Sequence, residues 1–317
     1  MYSLIIPIYK NEANIPPLLD AIKGIEKQLN DVLEVIFVVD GSPDNSFLVL
    51  RDRLPGIFKR SQLICLSRNF GAFAAIRAGL EAASGDYFAV LAADLQEPPS
   101  LVVQMFNALK NDECDVAVGE RTKRDDPHLT TIASTVFWWL YRKLIFKSIP
   151  PGGVDIFGCN RKVRDQLTAL TERNSSLVGL LFWIGFRRKL IPYERAKREI
   201  GKSSWTFTKK WQYLLDSIYS FSDLPVVILV RIGILGLLFS TIFGAIVIVS
   251  ALTQQIEVPG YAATVLVVIF FGTLNLLALG VIGIYIWRTF ENTKARPGFI
   301  LLSHDIFEKD RKGKSRK

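Results

Sequence analysis

Three polar residues stand where buried strands should stop. Asp40 closes the apolar run LEVIFVVD, Asp94 ends DYFAVLAAD, and Arg121 ends CDVAVGER. A carboxylate at a strand end can accept hydrogen bonds from a nucleobase NH or a ribose hydroxyl. Gly41, next to Asp40, permits the tight turn that would present it. Asp94 suits a different task. In AADLQEPP it offers a carboxylate and Gln96 a carbonyl oxygen, and alternation along an extended segment puts the two on one side. Mg2+ or Mn2+ takes oxygen ligands and commonly binds through one or two protein groups plus substrate phosphates. Such a cation would neutralise a diphosphate leaving group. Glu97, just ahead of two prolines, reads as a loop residue.

These residues need elements to bring them together. YSLIIPIY, LEVIFVVD, SQLICLS, DYFAVLAAD and CDVAVGER read as short buried strands. NIPPLLDAIKGIEKQL, a stretch from GSPDNS to about Leu54, GAFAAIRAGLEAA and PSLVVQMFNALK read as helices between them. This alternation predicts an α/β fold, a mostly parallel sheet with helices on both faces. Ligands of such sheets bind at the carboxyl ends of the strands. Any one of Asp40, Asp94 and Arg121 could be a mere turn former, but three strand ends at one edge argue for a site. No GxGxxG follows a strand, so a dinucleotide-binding dehydrogenase fits poorly. Cys65, Cys114 and Cys159 lie far apart without a CxxC or Cys/His cluster, which argues against zinc and fits a reducing, cytosolic compartment. His128 and His304 are isolated and receive no catalytic role.

The chain is 50% hydrophobic and carries a formal charge of +9. Its mean hydropathy is +0.26, and the cause is local. Residues 226–287 are nearly all apolar, with uncharged runs at Ile232–Leu252 and Ala262–Trp287. About 20 apolar residues cross a bilayer as a helix, so two spans are expected there. The connection TQQIEVPGY has no Lys or Arg, whereas Arg231, Arg288, Lys294 and Arg296 flank the outer ends. The positive-inside rule then puts both termini and the catalytic part in the cytoplasm. Residues 130–149 and 203–225 read as amphipathic helices with basic rims, the pattern of helices lying in a membrane interface. MYSLIIPIYKNE lacks the basic start and long apolar run of a signal peptide. The basic segments, including the tail KDRKGKSRK, suit anionic head groups of a lipid bilayer. No nucleic-acid module is present, so no nucleic-acid partner is expected.

In order, PIYKNEANI, VVDGSPDNS, SRNFGAFAAIRAGLEAASGD, AADLQEPP, GGVDIFGCNRK and REIGKSSWTF resemble the membrane-bound polyprenyl-phosphate transferases of glycosyltransferase family 2, which have the GT-A fold. Bacterial undecaprenyl-phosphate glucosyltransferases (bactoprenol glucosyl transferases) look closest, and dolichyl-phosphate mannose synthases look similar. The resemblance runs from about residue 2 to 302 and is much less specific for the sugar. It implies that Pro7, Tyr9, Glu12 and Val39 line the nucleotide-sugar pocket, and that Asp40 holds the base. Asp94 matches the second acid of the DxD motif, the metal ligand, with Gln96 assisting it. Ala92 stands where the first acid usually is, which puts one contact to the nucleotide in question. Arg121 falls where a cation could meet the diphosphate or the acceptor phosphate. Arg198, Lys202 and Ser203 match a segment that approaches the phosphates near the membrane, with Ser204 where a basic residue is common.

Asp155 matches the acid beside the acceptor. A sugar hydroxyl acceptor would need a general base, but a phosphate monoester has a second pKa of about 6 and is already a nucleophile near neutral pH. Asp155 is therefore expected either as a base or as a group that positions the acceptor. The resemblance implies a metal-dependent, inverting transfer of a hexose, glucose from UDP-glucose first, to undecaprenyl phosphate at the cytoplasmic face of a bacterial inner membrane. Mannose, N-acetylglucosamine or aminoarabinose are alternative sugars, and a non-catalytic nucleotide-sugar-binding membrane module is an alternative class. It also implies a homo-oligomer (a tetramer is one form), a glycolipid flippase and a second glycosyltransferase downstream. The expected division is a catalytic domain at 1–202, a juxtamembrane helix at 203–225, two spans at 226–287 and a basic tail at 288–317.

Overall fold

The computed structural model describes residues 1–29, 31–123, 137–172, 176–196, 207–253 and 260–309. Two compact units emerge, Met1–Trp211 with Pro297–Lys317, and Gln212–Arg296.

The first unit is built on one eight-stranded sheet. Its strands are β1 (Tyr2–Ile8), β2 (Leu33–Val39), β3 (Arg60–Leu66), β4 (Tyr87–Val90), β5 (Val116–Lys123), β6 (Phe157–Asn160), β7 (Arg188–Glu194) and β8 (Leu301–Glu308). They lie in the order β7-β5-β6-β4-β1-β2-β3-β8. β1 pairs in parallel with both β2 and β4, and β2 with β3. The antiparallel members are β6, between β4 and β5, and β8, at the far edge beside β3. The chain builds outward from β1 through β2 to β3, then crosses back to β4 on the other side. That reversal opens a crevice beyond the carboxyl ends of β1 and β4, where such sheets bind ligands.

Both faces of the sheet are covered, which is why the first strands read as continuous apolar runs. One face carries Leu4, Ile6, Leu33, Val35 and Phe37, buried against Leu18, Ile22 and Ile25 of α1 (Ile15–Gln28), Leu50 of α2 (Ser46–Arg53) and Val102 and Phe106 of α4 (Pro99–Lys110). α3 (Ala72–Ala82) lies on the opposite face, so close that a Cβ on Gly79 would come within 2.4 Å of Ile5 Cγ2. Prolines at the first turns of α1 and α4 start those helices where a missing N–H costs nothing. A further helix, α5, spans 137–144, and α6 (Arg161–Ala169) and α7 (Leu177–Trp183) follow β6.

At the amino ends of the strands sits a buried polar cluster. Glu34 is fully buried and accepts hydrogen bonds from Ser3 Oγ (2.7 Å), Gln62 Nε2 (2.9 Å), Ser84 N (2.8 Å) and Ser84 Oγ (2.8 Å). Arg60 Nε adds an ion pair at 3.0 Å.

The second unit contains α9 (Leu224–Leu252) and α10 (Tyr261–Thr293), and most of α8 (Phe207–Phe221). Leu224–Phe243 and Phe270–Thr293 are long and apolar enough to cross a membrane. Arg288 near the end of α10 donates to Asp216 Oδ1 of α8 (2.5 Å), and its guanidinium lies 5.1 Å from the Tyr219 ring centre.

Two sequence expectations need correcting. Residues 288–317 are not simply a basic tail: Leu301–Glu308 pairs antiparallel with β3 as the sheet's edge strand. Residues 130–149 are not one long helix among the described residues, since α5 gives way to turns from residue 145.

Candidate active site

The loops after β1 and β2 are knitted together. Glu12 Oε2 accepts from Asn45 N (3.0 Å), while Asp44 Oδ2 accepts from Glu12 N (3.1 Å). Ser42 Oγ donates to Asp44 Oδ1 (2.6 Å) and accepts from Lys10 N (2.8 Å). Pro7 and Val39 lie in register at the ends of their strands, opposite Val38 and Ile8 respectively. Tyr9 follows β1, 37% exposed. Pro7, Tyr9, Glu12 and Val39 are thus neighbours at the carboxyl ends of β1 and β2.

Asp40 is only 2% exposed. Its Oδ1 accepts from Phe70 N (2.7 Å) and its Oδ2 from Gly71 N (2.8 Å), at the head of α3. Burial pushes its pKa up, against the lowering pull of these two amides and of Arg68. Each carboxylate oxygen thus shapes the 68–71 wall of the crevice, ahead of any contact with a base. Gly41 adopts φ +53, and a Cβ there would fall 2.2 Å from the Arg68 carbonyl carbon, so only glycine lets the two loops close.

The loop after β4 turns at Leu95, which has φ +53. Leu95 N donates to Ala92 O (3.4 Å), and Asp94 Oδ1 accepts from Gln96 N (3.4 Å). Gln96 is tied to the chain after β7. Its Oε1 accepts from Arg195 Nη2 (2.7 Å), its Nε2 donates to Ala196 O (3.2 Å), and its own carbonyl accepts from Ala196 N (2.8 Å). The carbonyl oxygen expected to assist a metal is here a partner of Arg195.

Glu97 is 1% exposed and belongs to the site, not to a solvated loop. Arg195 Nε lies 3.6 Å from its Oε1. Burial, with the charges of Asp155 and Asp94, pushes the Glu97 pKa up to about 7, although Arg195 pulls the other way. Asp155 is nearby and is gripped by two donors, Arg121 Nη2 and Tyr193 Oη (2.6 Å). Burial alone would raise its pKa. The charges of Arg121 and Arg195 and these two hydrogen bonds outweigh that and hold it below the ordinary carboxylate range. Burial and the neighbouring Asp155 drive the Tyr193 phenol upward, so it stays a donor.

Three acids (Asp94, Glu97, Asp155) and two guanidinium groups (Arg121, Arg195) therefore meet at the carboxyl edge of the sheet. Buried polar atoms are almost always paired in native proteins. Here Glu97 Oε2, Arg121 Nε and Arg195 Nε are buried without a hydrogen-bond partner among the described residues. Among the described residues no three His, Cys, Asp or Glu side chains form a metal cage. The donor set fits a cation held by Asp94 and shared with a diphosphate, which needs only one or two protein ligands. Arg198, Lys202 and Ser203 lie outside the described residues.

Sequence reasoning missed Glu97, Tyr193 and Arg195. A signal existed for Tyr193: β7 buries Ile191 and Tyr193 and exposes the residues between and after them, a short alternation hidden in a basic stretch. Nothing local marks Glu97 and Arg195, whose meeting joins two distant loops.

The model of the family described as Glycosyl transferase family 2 matches residues 3–169. A putative glycosyltransferase, CsbB, of Bacillus subtilis (strain 168) is 33% identical over 98% of this chain and 94% of its own length. A prophage bactoprenol glucosyl transferase homolog of Escherichia coli (strain K12) is 28% identical over 94% of this chain and 97% of its own. A crystal structure of glucosyl-3-phosphoglycerate synthase from Mycobacterium tuberculosis, in complex with Mn2+, UDP-glucose and phosphoglyceric acid, is similar in fold. Its TM-score is 0.52 at 16% identity, over 68% of this chain and 78% of that one. The family match spans β1 to α6, the strands and loops that carry Asp40, Asp94, Arg121 and Asp155, and the chain belongs to glycosyltransferase family 2.

Proposed function

We propose that this glycosyltransferase moves glucose from UDP-glucose to undecaprenyl phosphate with inversion. The reaction would take place at the cytoplasmic face of a bacterial inner membrane, with both termini cytoplasmic. One observation carries the reading. The likeness to a bactoprenol glucosyl transferase homolog covers 94% of the chain, too much to leave out the two apolar helices.

The charge cluster supports it. Asp94 would hold Mg2+ or Mn2+ against the diphosphate, and that cation would supply charge neutralisation for the leaving group. The rim at Pro7, Tyr9, Glu12, Val39, Asp40 and Ala92 would take the nucleotide. A lipid phosphate has a second pKa of about 6, so it arrives already ionised and needs no base. Asp155, held in its charged form by Arg121 and Tyr193, is a poor proton acceptor near neutral pH and a good anchor. It would orient Arg121 toward the phosphates, while Arg195 adds a second positive charge. Arg198, Lys202 and Ser203 would complete the acceptor side. The product is a glycolipid, which a flippase and a second glycosyltransferase would use.

Membranes carrying the protein should be incubated with undecaprenyl phosphate and labelled UDP-glucose, UDP-N-acetylglucosamine or GDP-mannose. UDP-glucose should yield a chloroform-extractable labelled lipid that EDTA abolishes and Mg2+ or Mn2+ restores. Labelled lipid from a different donor would correct the sugar, and none from any donor would overturn the reading.

A further inference from the structure

Helix α5 has two working faces. Trp138 and Tyr141 point inward: Tyr141 is fully buried, and their ring centres are 5.4 Å apart. The Trp138 ring lies over Gly153, which has φ +81 and whose Cβ would fall 2.1 Å from the indole. That face is therefore turned to the loop carrying Asp155. Trp139, Arg142 and Lys143 follow the i, i+3, i+4 spacing of another face, and Lys147 comes in the turn after the helix. These four residues line a cleft of about 240 Å3.

The chemistry of the cleft is one-sided. Three cations and an indole are its lining among the described residues. Lys143 Nζ sits 5.1 Å from the Trp139 ring centre, and Trp139 is 58% exposed. Arg142 Nε is buried and has no hydrogen-bond partner among the described residues. Three cations clustered within six residues give the cleft a positive potential that favours an anion. The volume lies below the range of about 300–1,000 Å3 that holds whole small-molecule ligands, which suits a head group. An exposed Trp beside Lys and Arg marks a surface that meets lipid head groups.

We propose that this cleft binds the phosphate group of an anionic membrane phospholipid, at a site separate from that of the acceptor lipid. The acceptor phosphate must reach the reacting carbon beside Asp155, whereas Trp139 and Lys143 of the cleft are exposed to solvent, away from the buried Tyr141. The inference rests on the membrane anchoring proposed above, but not on the transfer reaction. A phospholipid held here would fix α5, and through Trp138 the Asp155 loop, at the membrane surface.

The test uses the full chain in neutral detergent, titrated with phosphatidylglycerol, phosphatidylcholine, undecaprenyl phosphate or inorganic phosphate, with retained lipid read by native mass spectrometry. The wild type should retain phosphatidylglycerol over phosphatidylcholine. At roughly one kcal/mol per cation near a lipid surface, the combined Arg142→Gln, Lys143→Gln, Lys147→Gln variant should lose about a hundredfold in affinity. Lys143→Arg with Lys147→Arg should keep it, and the unliganded melting temperature should not move. Unchanged phosphatidylglycerol binding in the triple variant would overturn the proposal. So would displacement by millimolar inorganic phosphate alone, or a dependence on these cations shown only by undecaprenyl phosphate. Failure to float with vesicles of any composition would remove the anchoring reading, and this inference with it.

Discussion

Glu34 and Glu97 are both buried glutamates in the same sheet domain, one at each end of its strands. Glu34 is fully buried and has a donor on every side: two serine hydroxyls, an amide side chain, a backbone N–H and the Arg60 guanidinium. Burial would raise its pKa, but these partners win and lower it. Glu97 is just as buried, yet among the described residues one oxygen has no hydrogen-bond partner, and its neighbours include Asp94 and Asp155. Its pKa rises to about 7. Burial therefore does not separate scaffold from chemistry in this molecule. Between these two carboxylates satisfaction does. Both oxygens of Glu34 accept hydrogen bonds, although Arg60 Nε beside it makes none among the described residues. Glu97 Oε2 accepts none among the described residues and lies at the end that awaits a substrate.

The sharpest way to break this contrast is to remove one carboxylate at each end. Asp94→Ala should cut transfer by a hundredfold or more, the scale on which removing one transition-state electrostatic contact acts. It should leave the melting temperature nearly unchanged. Glu34→Ala strands several buried donors and should cost about 3–5 kcal/mol of stability, the scale for breaking a buried charged cluster. Activity per folded molecule should survive. Parallel assays of transfer and of thermal unfolding check both. If Asp94→Ala melts as early as Glu34→Ala, the two ends are not functionally distinct.

Glu97 gives a smaller and pH-dependent effect. Its folded pKa of about 7 lies above the ordinary 4.5. Between those values the folded protein keeps a proton that the unfolded chain has released. Stability should therefore fall as pH rises through that window, then level off. The drop amounts to roughly 3 kcal/mol at most. With EDTA present, melts at pH 5 and pH 8 should show it in the wild type, and Glu97→Gln should flatten it. A wild type equally stable at both values would place Glu97 among the satisfied carboxylates.

The two ends were not equally legible in the sequence. β1 to β5 and the helices between them announce themselves by long apolar runs and helical spacing, so the crevice and its acids at 40 and 94 could be placed early. β6 has four residues, β7 is hidden in a basic stretch, and β8 follows an apolar helix where a tail was expected. All three join the sheet through partners distant in sequence, which no local pattern encodes. The Glu34 shell was invisible for the same reason: Ser3, Glu34, Gln62 and Ser84 come from separate elements. Asp155 entered by family resemblance alone, and the pairing of Glu97 with Arg195 needed the fold itself.

The smallest expected effect tests how far the satisfied end extends. His304 of β8 sits opposite Ile64, and its Nε2 is 2.6 Å from Gln62 Oε1. Gln62 in turn donates to Glu34. The strand that returns after the second apolar helix is thus joined to the Glu34 cluster through one side chain. His304→Ala removes a single hydrogen bond at a partly exposed edge and should cost about 0.5–1.5 kcal/mol, with transfer unaffected. Thermal unfolding of His304→Ala beside Glu34→Ala measures the difference. A loss as large as that of Glu34→Ala would mean that Gln62 orients toward the carboxylate only when the histidine holds its far side. The network would then act as one cooperative unit, and the edge strand would count as part of the scaffold's core.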